Sequence, residues 1–508
     1  MVFVVSTSGQ GDPPYSLLKF WNFIMRRDLE SCLNGVQFAV FGLGDSSYAK
    51  YCYCSKLLFR RLEMLGATPL IERGDGDDQH PFGYEGSLEP WMTALFQLEA
   101  IKKEIKMPFQ ESLPYKARIS DTGKKIEMRV ESSGKLQVIR RFGSMAKVIR
   151  NDRITSVDCA QETRHIEWQF CDSIQYEAGD VCSLFPANSA EDVNEMLEVL
   201  NFSSIADNEL EIIVQREDFN KDFTLNYPWT LRDLLSFYFD FQCTPGRYFF
   251  EVISRYAQDP IEKEKLLEFS NVSQREGLES YVIRPQRTSL EVLKDFGSVK
   301  LELSCLFDIF PSIKPRFFSI SQKDFGCNTL SQTVAVKNVK TLMRTPRRGL
   351  CSKFLSSLPK GFTWCLDVQK SSFRIPQSTR KLLIVCTGTG IAPVRAMVQQ
   401  YQQMELFIFF GCKSAQLDFL YKEEWNQHEN IKKFINAFSR ASPLKRYVQD
   451  ALRDEKDLVA QLIQDDAVVV ISGNSRIYKP VLDALKEICT PEKIEEMERK
   501  MMIQSETW

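Results

Sequence analysis

Histidine is scarce in this chain of 508 residues, which has only His80, His165 and His428. A metal or haem site built from several histidines is therefore not expected, and we predict no metal site. The 14 cysteines are scattered along the chain without a C-x-x-C pair, which argues against a zinc ribbon or a thioredoxin-type motif. So many cysteines outside any paired framework suit a reducing compartment.

Net charge and long apolar runs are also lacking. The 65 Lys and Arg residues nearly balance the 67 Asp and Glu residues, which leaves a formal net charge of −2. No basic field therefore favours nucleic acid. No apolar run reaches the length of a membrane-spanning helix. The apolar content of 44% is ordinary for globular protein, and the length indicates about three domains.

The most informative stretch is Lys381–Ala396, with the sequence KLLIVCTGTGIAPVRA. Its apolar run Leu382–Val385 is too short for a helix and predicts a buried parallel strand. The turn that follows contains Gly388, Thr389 and Gly390, which let backbone N–H groups approach a bound group closely. A strand, a glycine-rich turn and a helix N-terminus favour a phosphate or pyrophosphate site. A plain strand–helix connection is the alternative.

The first hundred residues alternate between predicted strands and helices. Strands are predicted at Val2–Val5, Gln37–Phe41 and Thr68–Ile71, and helices at Ser16–Arg27, Lys50–Leu65 and Glu89–Lys106. A polar loop follows each strand, the last of them at Gly76–His80. This alternation predicts a parallel sheet with loops gathered at its carboxyl edge, where a flat cofactor would fit.

The middle of the chain has a different pattern of charged and apolar residues. Residues 106–145 are charged and lack sustained periodicity, so we predict a linker. Alternating apolar residues at Arg164–Phe170 and Val181–Phe185 predict antiparallel strands. Helical patterns dominate from about residue 190 to 304. Together they predict a β-barrel interrupted by a helical insertion.

The last segment contains three more predicted strands at Leu406–Phe410, Phe434–Phe438 and Ala467–Ile471. Each is followed by a loop and a helix, which predicts a second doubly wound unit. Hydroxyl, guanidinium, ammonium and amide groups cluster after the second of these strands, at Ser439, Arg440, Lys445, Tyr447 and Gln449. Such a cluster suits a phosphate dianion and favours NADPH over NADH. A solvated basic loop is the alternative.

Two motifs near the N-terminus carry a resemblance to a known family. T-x-G-x-G-D-P-P at Thr7–Pro14 and F-G-L-G-D-S-S-Y at Phe41–Tyr48 resemble the FMN domain of the diflavin reductases, the group that includes cytochrome P450 reductase. The resemblance implies that Tyr48 stacks on the flavin, although an ordinary loop aromatic remains possible. The implied FMN-binding residues are Ser6, Thr7, Ser8, Gly9, Leu43, Gly44, Asp45, Tyr48 and Asp77.

The resemblance starts at the third strand of the flavodoxin-like order. We therefore expect strands one and two and the phosphate-binding loop to be absent, and weak or no FMN binding. We also expect Val2–Val5 to be an exposed apolar edge strand.

Two later motifs resemble the ferredoxin–NADP reductase superfamily, namely R-F-F-S at Arg316–Ser319 and R-R-G-L-C-S at Arg347–Ser352. The resemblance implies that Arg316 binds the FAD pyrophosphate and that Phe318 stacks on the ring where relatives have Tyr. The full set that it assigns to FAD is Arg316, Phe317, Phe318, Ser319, Gly349, Leu350, Cys351 and Ser352.

The same resemblance assigns hydride transfer to Ser319, Ser472, Glu506 and Trp508. Ser472 stands where cytochrome P450 reductase-like enzymes have Cys, and Glu506 where many relatives have Asp. Trp508 would cover the FAD ring and move aside for nicotinamide. We expect its deletion to shift preference toward NADH.

We therefore predict a multidomain α/β protein. The predicted domains are a partial flavodoxin-like sheet over residues 1–105, a linker over 106–145, an FAD-binding antiparallel β-barrel with a helical insertion over 146–375, and a doubly wound NADP-binding domain over 376–508. The resemblance implies a cytoplasmic NADPH-dependent diflavin reductase with FAD, FMN and NADPH, which passes electrons to the iron–sulfur protein anamorsin in cytosolic iron–sulfur cluster assembly. No nucleic-acid or membrane partner is expected. An FAD-only NADPH reductase and a catalytically silent partner-binding isoform are the alternatives.

Overall fold

The structure of the chain is a computed structural model. It describes residues 1–7, 11–14, 17–48, 50–80, 83–99, 101, 115–119, 143–214, 229–271, 274–344, 346–371, 375–376, 378–441 and 445–507. The chain divides into two compact units, and each is described by itself. The first unit comprises residues 1–110, 377–390 and 448–508, and the second comprises residues 111–376 and 391–447.

The N-terminal part of the first unit is a parallel sheet with helices. Its strands are β1 Val2–Ser6, β2 Gln37–Gly44, β3 Thr68–Pro69 and β4 Gly74–Asp77, and its helices are α1 Leu18–Ile24, α2 Tyr53–Met64 and α3 Glu85–Gln97. Strands β1, β3 and β4 all pair with β2 in parallel. The predicted strands Val2–Val5 and Gln37–Phe41 are confirmed, and the predicted strand Thr68–Ile71 is confirmed only at Thr68–Pro69. The predicted loop Gly76–His80 is wrong in its first two residues, which belong to β4 because they pair with Leu43 and Gly44.

Strand β1 has one buried and one exposed face. Val5 is 2% exposed and packs in an apolar cluster with Phe38 and Leu58, whereas Val2 and Val4 are 50% and 57% exposed. The strand lies at the end of the order β1-β2-β3. Among the described residues, β1 pairs with no strand other than β2, so the expectation of an exposed apolar edge strand is confirmed there.

The second unit holds most of the remaining elements. Its strands up to residue 369 are β5 Tyr115–Ile119, β6 Ser144–Arg153, β7 Thr163–Phe170, β8 Val181–Leu184, β9 Glu209–Val214, β10 Trp229–Thr230, β11 Arg316–Ser319, β12 Thr329–Ala335, β13 Asn338–Val339, β14 Arg347–Arg348 and β15 Thr363–Gln369. Its helices over the same span are α4 Ala190–Val199, α5 Leu231–Phe237, α6 Arg247–Ser254, α7 Pro260–Ser270, α8 Arg275–Leu278, α9 Ser289–Asp295, α10 Leu306–Ile309 and α11 Leu350–Ser357.

Six of these strands form one antiparallel sheet in the order β11-β8-β15-β6-β7-β12. An isolated antiparallel bridge joins Ile320, just after β11, to Gln332 in β12. Trp168, Leu184 and Leu355 belong to the apolar cluster under this sheet. The cluster therefore packs α11 against the strands.

The region between β8 and β11 is mainly helical, as predicted, and has its own apolar core around Trp229, Phe239 and Phe250. It also contains β9, which pairs with β10 and with β5. Strand β5 lies inside the segment predicted as a linker. That prediction is wrong at Tyr115–Ile119, because antiparallel pairing with β9 satisfies this backbone.

The remaining elements follow residue 380. They are β16 Lys381–Thr387, a 3₁₀ turn Gly388–Gly390, α12 Ile391–Gln400, β17 Glu405–Cys412, α13 Lys422–Trp425, β18 Ile431–Phe438, α14 Val448–Asp454, α15 Lys456–Gln464, β19 Val468–Gly473, α16 Tyr478–Ile488, α17 Pro491–Arg499 and β20 Ile503–Thr507. In the first unit, β19 pairs in parallel with β16 and β20. In the second unit, β17 pairs in parallel with β18. Strand β20 was not predicted.

Among the residues that the structure describes, no helix combines the length and the apolar composition needed to cross a membrane. The predicted domain boundaries at residues 105, 145 and 375 stay predictions.

Candidate functional site

The glycine-rich turn after β16 is packed tightly against the end of β19. Gly388 has a φ of +53°, which favours glycine, and a Cβ on Gly390 would lie 2.3 Å from the backbone oxygen of Ser472. Gly473 has a φ of +145°, and a Cβ there would lie 2.5 Å from Oγ1 of Thr387. The glycines therefore bring the turn onto the backbone of Ser472 and Gly473.

Two of the predicted catalytic residues are neighbours at this point. The parallel register of β19 and β20 places Ser472 opposite Glu506. Ser472 is 1% exposed, and its Oγ has no hydrogen-bond partner among the described residues. A buried hydroxyl without a partner is costly unless a ligand uses it. Trp508, the third predicted residue in this unit, lies outside the described residues, and its placement stays a prediction.

In the second unit, the R-F-F-S motif forms β11. This strand pairs with β8, so that Phe318 lies opposite Cys182 and Ser319 opposite Val181. Phe318 is partly buried against the apolar cluster of the six-stranded sheet, whereas Phe317 is 55% exposed. Ser319 is buried. The motif therefore presents its aromatic and hydroxyl groups from a rigid strand.

The R-R-G-L-C-S motif forms the N-terminus of α11. Gly349 precedes the helix, and no side chain of the described residues caps it. Burial raises the pKa of the Cys351 thiol in this turn to about 12. The positive charge of the Arg316 guanidinium acts to lower it. Burial also raises the pKa of Asp240, again against the charge of Arg316. A helix N-terminus and the positive charge of Arg316 both favour an anionic pyrophosphate.

Leu350 and Ser352 lie in the same turn. Ser352 Oγ accepts a hydrogen bond from the Lys337 backbone N–H at 3.0 Å and donates one to the Gly349 oxygen at 3.1 Å. The hydroxyl therefore holds the turn in place.

The predicted 2′-phosphate site is a loop after β18. The backbone N–H groups of Ser439 and Arg440 donate to the oxygens of Cys412 and Lys413, both at 2.9 Å. This fixes the loop beside the end of β17. Lys445 and Tyr447 are exposed in the same unit, and Gln449 lies on α14 in the first unit.

The loops that follow β2 and β4 form a polar network in the first unit. Asp77 Oδ1 accepts hydrogen bonds from the backbone N–H groups of Ser46 at 2.8 Å and Gln79 at 3.0 Å. Asp45 accepts from Gln79 Nε2 at 3.0 Å. Partial desolvation acts to raise the pKa of Asp77, but the hydrogen bonds hold it below its usual value. The two loops are thus tied together.

The other residues predicted for FMN lie around this network. Tyr48 is half-buried, and its N–H donates to the Asp45 oxygen at 3.1 Å. Ser6 pairs with Leu43, and Thr7 donates its N–H to the Leu43 oxygen at 3.2 Å. A Cβ on Gly44 would lie 2.9 Å from the backbone nitrogen of Cys52, so a side chain does not fit there. Ser8 and Gly9 lie outside the described residues.

Arg395 is a residue that the sequence did not single out. It extends from α12 and donates from Nη1 to the backbone oxygen of Ser321 at 2.7 Å, two residues after the flavin motif. Its Nε also donates to Glu424 at 2.6 Å, and the guanidinium lies 4.8 Å from the centre of the Tyr421 ring. The contacts are up to 74 residues apart in sequence, so no local pattern could reveal them.

Three family models match the chain. A flavodoxin model matches residues 1–91. A model of an FAD binding domain matches residues 140–354. A model of an oxidoreductase NAD-binding domain matches residues 384–482.

Full-length relatives match as well. The chain is 35% identical to NADPH-dependent diflavin oxidoreductase 1 of Danio rerio, in an alignment that covers 100% of this chain and 91% of the relative. The protein of the same name from Schizosaccharomyces pombe is 32% identical with the same coverage. The one from Arabidopsis thaliana is 34% identical, over 97% of this chain and 86% of the relative.

Proposed function

This chain belongs to the NADPH-dependent diflavin oxidoreductase 1 family, and from that premise we propose that it passes electrons from NADPH through FAD and FMN to a one-electron acceptor. It is an NADPH-dependent flavin oxidoreductase whose cofactors are FAD, FMN and NADPH, as the three matched domains support. A flavin accepts a pair of electrons as hydride and releases them singly, which is the chemistry that the cofactors supply.

The observation that carries the proposal is the buried Ser472 hydroxyl beside the glycine-rich turn. Gly390 packs on the Ser472 backbone, and Glu506 lies opposite Ser472 in the strand register. A hydroxyl and a carboxylate at the end of parallel strands suit the positioning of a nicotinamide ring. We propose that Ser472 and Glu506 serve hydride transfer in this way, and, on the family resemblance, that Ser319 and Trp508 also take part in it.

The proposal also covers the architecture of the FAD-binding domain. We infer that the six-stranded sheet closes into the FAD-binding barrel. Its end strands β11 and β12 support this, because the bridge from Ile320 to Gln332 joins them.

The acceptor and location are proposed on the family alone. We propose an anamorsin-like iron–sulfur protein as the acceptor, a role in cytosolic iron–sulfur cluster assembly, and a cytoplasmic location. Weak retention of FMN also stays a prediction.

The experiment combines flavin analysis with two acceptors. Flavin released from the purified protein is identified by chromatography, and NADPH-driven reduction is followed with ferricyanide and with cytochrome c. Ferricyanide accepts electrons from FAD, whereas cytochrome c normally requires FMN. Reduction of both supports the full relay, reduction of ferricyanide alone supports an FAD-only reductase, and reduction of neither contradicts the proposal.

A further inference from the structure

Two carboxylates of the helical region stand in similar positions, each as the third residue of a helix with a hydroxyl cap. Glu291 lies in α9, where its carboxylate accepts from the Thr288 N–H at 2.9 Å and its own N–H donates to Thr288 Oγ1 at 3.3 Å. Asp192 lies in α4, where its N–H donates to Ser189 Oγ at 3.2 Å and its carboxylate accepts from that hydroxyl at 2.6 Å. The caps fix both carboxylates in one orientation.

Each carboxylate holds a cation next to the turn Gly349–Ser352. Arg347 donates from Nη1 and Nη2 to the two oxygens of Glu291, both at 2.6 Å, and these side chains are only 15% and 26% exposed. Lys353 donates to Asp192 at 2.7 Å. One cation precedes the turn by two residues and the other follows it directly, so the turn is held from both sides.

The geometry of the first pair is that of a strong contact. A bidentate pair between a guanidinium and a carboxylate fixes direction as well as distance, and partial burial shields it from solvent. Arg347 also donates from Nε to the Pro285 oxygen at 3.3 Å. With these donors engaged, the guanidinium anchors the strand that leads into Gly349.

We propose that Glu291 and Asp192 are positioning residues for FAD. They hold Arg347 and Lys353 so that the N-terminus of α11 is ready to receive the pyrophosphate before it binds. This inference rests on the proposed function, because it takes α11 as the pyrophosphate site. Binding to a preformed site avoids the cost of ordering the turn.

The test is FAD affinity of the full chain after removal of flavin, measured by titration with FAD for wild type, Glu291→Gln and Arg347→Met. Each single variant is expected to weaken FAD binding about tenfold, the equivalent of one lost charge-assisted hydrogen bond. The double variant Glu291→Gln/Arg347→Met is expected to weaken FAD binding no more than the more affected single variant does, because the two residues act through one contact. The rise in Tm on adding FAD should shrink in the same variants.

Asp207→Asn is the matched control. Asp207 pairs with Arg232 at 2.7 Å in the same helical region, and no hydrogen bond among the described residues joins it to the turn. The Asp207→Asn variant should leave FAD affinity within twofold of wild type.

Asp192→Asn is a second, independent test in case the Glu291 variant does not fold. It is also expected to weaken FAD binding.

The outcomes separate the two proposals. If wild type binds FAD and both carboxylate variants bind it as well as Asp207→Asn does, the positioning role is wrong. Tighter binding by Glu291→Gln would also overturn it, because a released Arg347 would then be a direct ligand of the phosphate. Failure of wild type itself to bind FAD would contradict the proposed function instead.

Discussion

At the scale of single residues, Gly390 is a position where a side chain does not fit. Its Cβ would lie 2.3 Å from the Ser472 oxygen and 2.6 Å from the Ser472 carbonyl carbon, which are backbone atoms that cannot rotate away. We expect Gly390→Ala to lower the free energy of unfolding by about 1–3 kcal/mol and to weaken NADPH binding. Chemical denaturation and NADPH titration measure both effects.

Gly297 supplies the control, because nothing lies within 4 Å of a Cβ built there. Gly297→Ala should stay within about 0.5 kcal/mol of wild type. Equal stability of the two variants would show that the packing of the turn is looser than described.

Substitution of Ser472 is expected to affect catalysis much more than stability. Its buried Oγ has no partner among the described residues, so Ser472→Ala should leave the free energy of unfolding within about 1 kcal/mol of wild type. The same change should slow flavin reduction by NADPH at least about tenfold, because a polar group at the reacting ring is lost. Stopped-flow absorbance measures the rate. Ser472→Cys should retain it better, and a rate unchanged in Ser472→Ala would exclude Ser472 from the reaction.

His165 links stability to pH. Burial lowers the pKa of His165 below 6.5, Glu167 acts to raise it, and Arg395 acts to lower it. The unfolded chain therefore takes up a proton at a higher pH than the folded chain, so this residue reduces stability as the pH falls through 6.5. We expect His165→Gln to have a shallower loss of stability between pH 6.5 and 5, by at most about 1.4 kcal/mol per pH unit.

Denaturant unfolding of both proteins at several pH values measures the difference in slope. His428, whose pKa burial also lowers, remains in both and contributes equally. Parallel slopes for wild type and His165→Gln would contradict a buried neutral histidine.

At the scale of elements, the loop after β18 should set the choice of nicotinamide cofactor. Arg440 is exposed, and its backbone is fixed by the end of β17. We expect Arg440→Ala to raise KM for NADPH about tenfold and to leave KM for NADH nearly unchanged, because only NADPH carries the phosphate dianion. Steady-state kinetics with both cofactors measures this.

Lys432→Ala is the matched control, since Lys432 is an exposed cation at the opposite end of the same strand. It should change neither KM. Equal increases in KM for NADPH and NADH in Arg440→Ala would show that the loop does not recognise the phosphate.

The sequence predicted the elements whose signal is local. Apolar runs predicted β2 and β16, and the helical patterns of the middle region predicted α4 and α9. Strand β4, with the sequence GDGD, has no apolar run, and it forms because β2 supplies its partner. Likewise β5 depends on β9 about a hundred residues later. Such pairing cannot be read from composition.

The candidate site shows the same difference between local signals, which the sequence reveals, and long-range contacts, which it does not. The motifs singled out Gly390, Ser472 and Gly349 as candidates, because their residue types recur in a fixed order. The capping-box pattern T-x-x-E at Thr288–Glu291 was available as a signal for a helix start. Its contact with Arg347, 56 residues away, was not.

At the scale of the whole molecule, the proposed activity depends on one flow of electrons. The FAD-binding and NAD-binding domains must cooperate, so that NADPH reduces a flavin held by this chain. In the proposed relay, the flavodoxin domain, matched over residues 1–91, then passes electrons to one-electron acceptors. The predictions for Gly390 and Ser472 concern how well the chain supports that first transfer.

The most direct measurement is an anaerobic titration of the purified, FAD-loaded protein with NADPH, followed by flavin absorbance. We expect the flavin band to bleach with NADPH, and much faster with NADPH than with NADH. A protein that stays colourless after FAD is supplied, or a flavin band that NADPH does not change, would contradict the account.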